Sequence, residues 1–420
     1  MNFSYLLEHN RYMNLIGICV IFLIAFLFSK NRKKINYRLI VNGLVLQFII
    51  GIVVLRTSIG LRVMQLLADG ITLIYQCADA GSGFVYGNLI NPAMPWGFIF
   101  AFKVLPIIIF FGALMALLFH YGIVQRIVAL IGYVVQPILG TSGAETLCAV
   151  ANSFLGQTEA PLLIRNYLPS MTKSEIMVVM ISGMATVSGA ILAVFGGMGV
   201  PMIHLLTASA MAIPGALIIS KVLYPQDEEV QTSHSADISI GRTKSSVFDA
   251  ISAGTSDGLY LALNVAAMLI SFLSLIALIN LLLASLSKGI NFYGASFNIH
   301  VHELSLGYIF SYLFAPFGYL LGLSGDEALK AGELLGTKVT INELIAYSEM
   351  VKMNLSERAV SILTYALCGF SNFSCIGIQI GGIGALVPEK RAWLCELGLY
   401  AVLGGSLSNL LSAMIAGLLL

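Results

Sequence analysis

Long apolar stretches alternate with short polar ones along almost the whole chain, each about 20 residues long, the length a helix needs to cross hydrocarbon. They fall at residues 13–29, 39–55, 98–119, 174–197, 201–222, 258–286, 359–386 and 393–419, which predicts eight transmembrane helices. Between the second and third, Leu61 to Tyr86 is less apolar and carries Arg62, Asp69 and Asp79, as a helix lying in the membrane interface would. Two further regions, Ile123 to Tyr167 and Leu304 to Tyr347, are hydrophobic yet repeatedly interrupted by Gly, Pro and charge. Each reads as a helix followed by a re-entrant hairpin, since irregular backbone at depth is tolerated only where protein surrounds it or it lines a cavity. The predicted fold class is therefore an all-α polytopic membrane protein with two re-entrant helical hairpins, an interfacial helix and inverted repeats. Its parts are a scaffold of amino-terminal spans and interfacial helix (1–97), a first repeat with one hairpin (98–225), a cytoplasmic linker (226–246) and a second repeat with the other (247–420).

Composition agrees with the pattern. The chain has 420 residues, 58% hydrophobic and 10% charged, with a mean hydropathy of +0.90. A net charge of +1 implies nothing about acidic partners, and the absence of a basic block interleaved with aromatics argues against nucleic acid. The first apolar stretch, Met13 to Phe28, has no basic flank before it and no small-residue cleavage site after it, so it reads as a retained span. The six cysteines (Cys19, Cys77, Cys148, Cys368, Cys375, Cys395) are scattered without C-x-x-C spacing, which implies neither disulfides nor a metal site. Lys30, Arg32, Lys33, Lys34 and Arg38 lie between the first two spans with no acidic residue, placing that loop inside and the amino terminus outside. Arg165, Lys173, Arg242, Lys244, Lys390 and Arg391 all fall inside too if the spans alternate.

One hexapeptide breaks this apolar text: Gly156-Gln157-Thr158-Glu159-Ala160-Pro161. An ionisable residue at membrane depth marks a functional site by default. The hexapeptide ends the first interrupted region and precedes a span carrying Thr186 and Ser188. The second interrupted region contains Thr337, Lys338, Asn342 and Glu343 and precedes a span carrying Asn372 and Ser374. Paired broken segments in corresponding places point to a transporter with a midplane site. Glu159 and Glu343 accept, Gln157, Asn342 and Asn372 both donate and accept, and Thr158 and Ser374 bring hydroxyls. This set suits a neutral, polyhydroxylated heterocyclic ligand. An anion would call for more than Lys338, and a channel for rings of carbonyls or charges. Glu145 and Lys338 read as structural, Arg165 and Glu357-Arg358 as boundary charges, and His300-Val301-His302-Glu303 as a solvated loop rather than a metal site. A membrane-embedded hydrolase using Glu159 with Glu343 or Asp326 is a remote alternative, without H-E-x-x-H or G-x-S-x-G to support it.

The hexapeptide with Leu162-Leu163, the stretch Thr337 to Tyr347, and Ala366-Leu367-Cys368-Gly369-Phe370-Ser371-Asn372-Phe373-Ser374-Cys375-Ile376-Gly377 resemble the signature segments of the concentrative nucleoside transporter family, in the family's order. The resemblance runs from about Lys103 to the carboxyl terminus and is closest to the bacterial members. It implies a homotrimer in the bacterial cytoplasmic (inner) membrane, not an enzyme and without a cofactor. Each protomer would import a nucleoside with a coupling cation by elevator-like displacement of a transport domain. The nucleobase would be held by Gln157, Thr158 and Glu159, and the ribose by Glu343, Asn372 and position 375. There the family's second Ser is replaced by Cys375, a weaker donor and acceptor.

The resemblance also carries a cation site. Sodium-coupled members place a side-chain amide where this chain has Asn152, with a hydroxyl on the next span, here Thr186, and backbone carbonyls that map to Leu155, Val187 and Ala190. Oxygen-only coordination suits a hard cation. Sodium coupling is the expectation, and proton coupling the alternative.

Overall fold

The computed structural model describes residues 3–91, 93–95, 99–231, 246–294 and 302–420, and among them every regular element is helical. After a short helical turn at Phe3–Leu7 come two long helices, α1 (Arg11–Leu27) and α2 (Tyr37–Arg56), followed by a 29-residue helix α3 (Ser58–Tyr86) over the segment expected to be interfacial. Then α4 (Leu105–His120), α5 (Ile123–Leu139), the short pair α6 (Gly143–Asn152) and α7 (Ala160–Leu163), the pair α8 (Lys173–Ala185) and α9 (Gly189–Gly197), and α10 (Met202–Leu223) make up the first half. In the second half, α11 (Val247–Gly294), α12 (Leu306–Leu320), the pair α13 (Gly325–Thr340) and α14 (Glu343–Met350), the pair α15 (Glu357–Leu367) and α16 (Phe373–Leu386), and α17 (Arg391–Leu419) follow in the same order. Two helices, broken pair, broken span, long helix: the element sequence occurs twice.

Seven helices among the described residues are long and apolar enough to span a membrane. The expected eighth, 359–386, is interrupted at 368–372 into α15 and α16, and the expected span 174–197 is likewise interrupted between Ala185 and Gly189. Chemistry at each break explains the interruption. Thr186 has extended backbone and Ser188 is the N-cap of α9. Asn372 caps α16, its side chain accepting from the Cys375 amide. Asn342 caps α14 in the same way through the Ile345 amide at 2.9 Å. In the first half, capping boxes at Ser142/Glu145 and Thr172/Glu175 start α6 and α8, satisfying orphan amides that apolar surroundings would leave costly.

Burial divides the long helices into two groups. The apolar window of α17 is 89% buried and that of α8–α9 83%, against 22% for α4 and 0% for α11. A helix apolar all round and buried belongs to the core, so α8, α10 and α17 form it, whereas α4 and α11 present apolar surface outward. These two pack on each other through small residues, with Gly254 and Gly258 on α11 meeting Gly112 and Ala116 on α4 so closely that a Cβ on any of the three glycines would lie within 3 Å of the partner helix. Close backbone approach of this kind is how helices associate in lipid.

Of the basic residues expected on one side, Lys30, Lys34, Lys173 and Lys390 gather at one end. The Lys30 amide donates to the Leu223 carbonyl at the end of α10, Lys34 Nζ to the Asp227 carbonyl, and Lys30 and Lys173 both lie within 4.0 Å of Glu396. Lys390 donates to the Met171 carbonyl. Arg242, Lys244 and most of the linker lie outside the described residues, as do His300 and Val301; His302 and Glu303 join no metal-binding cluster among the described ones.

Candidate functional site

The broken segments converge. Between α6 and α7 the hexapeptide forms a tip, with the Glu159 amide donating to the Gly156 carbonyl at 3.0 Å and Glu159 Oε2 accepting from the Gly156 amide at 3.1 Å. Glu159 stands exposed, and Gln157 is the buried member of the trio, with Thr158 half-buried between them. Gln157 fits because the facing position on α8 is Gly183, where a Cβ would lie 2.9 Å from that of Gln157.

From Gln157 a chain of hydrogen bonds crosses to the other half. Gln157 Nε2 reaches Cys375 Sγ at 3.2 Å. The Cys375 amide and the Ser374 hydroxyl donate to Asn372 Oδ1 at 3.0 and 2.7 Å, and Asn372 Nδ2 donates to Glu343 Oε2 at 3.1 Å. Gln157, Cys375, Asn372 and Glu343 are thus brought into one connected group, with Thr158 and Glu159 beside it on the tip.

The polarity of this chain is fixed by a residue that sequence reading missed. Gln379, fully buried on α16, donates through Nε2 to the Met180 carbonyl and to Gln157 Oε1, both at 3.0 Å. A backbone carbonyl can only accept, so Met180 sets the orientation of the Gln379 amide. That in turn sets the orientation of Gln157 and leaves the Gln157 N–H groups toward Cys375. A single polar residue four positions after Cys375 on an apolar helix is the sequence signal that was available.

A second polar group lies at the break in the first half. The Ser182 hydroxyl donates to the Val179 carbonyl at 3.2 Å, so it can only accept from Asn152, whose Nδ2 lies 2.9 Å away. Asn152 Oδ1 is left facing the interior, fully buried and without a partner among the described residues. Thr186 Oγ1 donates to the Ser182 carbonyl at 2.8 Å and retains its acceptor capacity. An orphaned amide oxygen is costly in a dry interior unless something with positive charge meets it. The donor set here, a carbonyl-type oxygen and a hydroxyl oxygen, suits a hard monovalent cation. Leu155 and Val187 are buried alongside. Ala190 sits in the first turn of α9 and packs against the apolar cluster of Ala78, Ile107, Phe111 and Ala193.

Lys338 and Glu145 take structural places. Lys338 Nζ donates to the Ala366 carbonyl at 3.0 Å and to Asn409 Oδ1 at 2.7 Å, and Glu145 pairs with Lys221 at 2.7 Å. Arg358 donates to the Gly417 carbonyl at 2.7 Å.

Comparison with known proteins matches this architecture along its length. Residues 16–89 match the family model of the Na+ dependent nucleoside transporter N-terminus, 101–202 that of nucleoside recognition, and 204–417 that of the Na+ dependent nucleoside transporter C-terminus. The chain is 43% identical to the nucleoside permease NupC of Helicobacter pylori, covering 96% of this chain and 97% of that one. It is 37% identical to sodium/nucleoside cotransporter 1 of Rattus norvegicus, over 96% of this chain and 63% of that longer one. The solved structure of CNTnw in an inward-facing substrate-bound state superposes with a TM-score of 0.89 at 38% identity, over 99% of both chains. Variants of that protein solved in an outward-facing state superpose equally well. These matches, spanning both halves and both broken segments, show that the chain belongs to the concentrative nucleoside transporter family, a family of membrane carriers and not of enzymes.

Proposed function

We propose that this protein imports nucleosides across the bacterial cytoplasmic membrane in symport with sodium, by alternating access of an elevator type. The observation that carries the reading is the continuous polar chain Gln379–Gln157–Cys375–Asn372–Glu343, which joins the two halves in a predominantly apolar protein. Gln157, Thr158 and Glu159 take the nucleobase; Glu343, Asn372 and Cys375 take the ribose hydroxyls. Glu343 accepts from a hydroxyl, while Asn372, already engaged as a helix cap, offers its remaining N–H. Sodium binds between Asn152 Oδ1 and Thr186, with carbonyls from Leu155, Val187 and Ala190 completing its shell. The hairpins, re-entrant from opposite sides, move with the buried helices as one body against the α4–α11 pair, and the outward apolar surface of that pair serves a homotrimer.

Uridine uptake into proteoliposomes tests this. An inward sodium gradient is expected to stimulate accumulation of intact uridine over a choline control, and Glu343→Gln to abolish uptake while still inserting. Stimulation by an acid-outside gradient and not by sodium would overturn the sodium assignment, and a chemically altered product would overturn transport itself.

A further inference from the structure

Two separate helix breaks carry the proposed ion and ribose ends of the site, and one side chain touches both. Asn409, buried near the middle of α17, donates from Nδ2 to the Ala185 carbonyl and to the Cys368 carbonyl, each at 2.7 Å. Ala185 is the last residue of α8, adjacent to Thr186, and Cys368 is the C-cap of α15, opening the break that ends at Asn372. The two N–H groups of the amide are therefore spent one on each break. The orientation has no alternative. On its other side Asn409 Oδ1 accepts from Lys338 Nζ at 2.7 Å and from the Ser371 hydroxyl at 3.3 Å. An ammonium can only donate, so Oδ1 must face it. Lys338 lies on α13, five residues before Glu343. The breaks also touch directly, the Phe370 amide donating to the Thr186 carbonyl at 3.3 Å.

We propose that Asn409 is the positioning residue that transmits sodium occupancy at the first break to the ribose end of the site at the second. This rests on the assignment of sodium to Asn152 and Thr186 above. An ion that draws the Thr186 backbone inward moves the Ala185 carbonyl with it. Because the same amide group holds Cys368 and Lys338, the second break and the second hairpin are biased together, which is what two sites need in order to share a coupling free energy. Neither ligand touches Asn409 in this scheme.

Nucleoside binding to the purified protein, measured at zero and at saturating sodium, reads the coupling directly. In the parent protein sodium is expected to tighten uridine binding tenfold or more. In Asn409→Leu the factor is expected to fall to within twofold of unity, while uridine affinity without sodium stays within threefold of the parent. Asn409→Ser, which keeps a single donor, is expected to fall between. An unchanged factor in a variant that still binds uridine would overturn the proposal alone, whereas a parent protein indifferent to sodium would remove the ion assignment beneath it. A measurement on the parent protein stands apart from any effect of substitution on folding. Sodium alone should slow amide exchange at residues 369–375 as well as at 186–189, and protection confined to the first break would sink the idea.

Discussion

At the scale of single residues, the departure at Cys375 has consequences of its own. Its sulfur is the one soft atom in a chain otherwise built from amide and carboxylate groups, and it sits where Gln157 crosses to Asn372. A thiol donates and accepts weakly, so Gln157 meets a poor partner there, as would a ribose hydroxyl in the proposed subsite. In Cys375→Ser the volume shrinks slightly while the group becomes a full donor and acceptor. A neutral hydrogen bond gained in this way contributes about 0.5–1.5 kcal/mol, and 1.4 kcal/mol is tenfold in affinity. Uridine uptake by Cys375→Ser is therefore expected to show a KM about two- to tenfold lower than the parent, with deoxyribonucleosides that lack the contacted hydroxyl gaining nothing. A KM that is unchanged or higher would take position 375 out of the ribose subsite.

At the scale of elements, function depends on helices that stop. The two broken spans approach so closely at Gly369 that a Cβ there would lie 2.4 Å from Asn409 Oδ1 and 2.8 Å from the Met184 carbonyl. Backbone carbonyls cannot move aside as a flexible side chain can, so Gly369→Ala forces the breaks apart. Overpacking of this kind costs about 1–3 kcal/mol. The variant is expected to lose thermal stability in detergent and to lose uptake more severely than stability, since Asn409 would no longer span the gap; a parent-like melting temperature and rate would show that the approach is not required. The breaks were only partly legible in the sequence. Gly156 to Pro161 and the Asn342-Glu343 pair stand out because polar residues in an apolar chain are costly and because Gly and Pro punctuate helices. The interruption after Ala185 is written in Thr-Val-Ser-Gly, without proline or charge, and reads as continuous span. Gln379 and Asn409 are each a single amide in an apolar helix, a pattern that ordinary interhelical glue shares. Only their geometry, one facing the Met180 carbonyl and the other both breaks, separates them from it.

At the scale of the whole molecule, the repeated order of elements places the two breaks against each other, so that a ligand at one can be felt at the other. Asn152 tests the ion end of that arrangement. Its Oδ1 is buried and accepts from no group among the described residues. Asn152→Ala would therefore cost little stability through lost protein contacts beyond the bond to Ser182 and the longer contact with Cys148 Sγ, and its effect should appear at the ion. The sodium concentration for half-maximal uptake is expected to rise about tenfold or more, as loss of a polar contact to a charged group costs about 1.5–3 kcal/mol. Uridine affinity in the absence of sodium should be unchanged. Linkage then makes a further demand on the binding equilibria, that saturating uridine lower the sodium dissociation constant by the factor by which sodium tightens uridine. The two substitutions consequently fail in different ways. Asn152→Ala weakens the ion itself, so enough sodium restores tight uridine binding; Asn409→Leu leaves the ion bound but uncouples it, so no amount does. If high sodium rescued uridine affinity in neither, or in both alike, the division of the buried interior into an ion site and a transmitting side chain would be wrong.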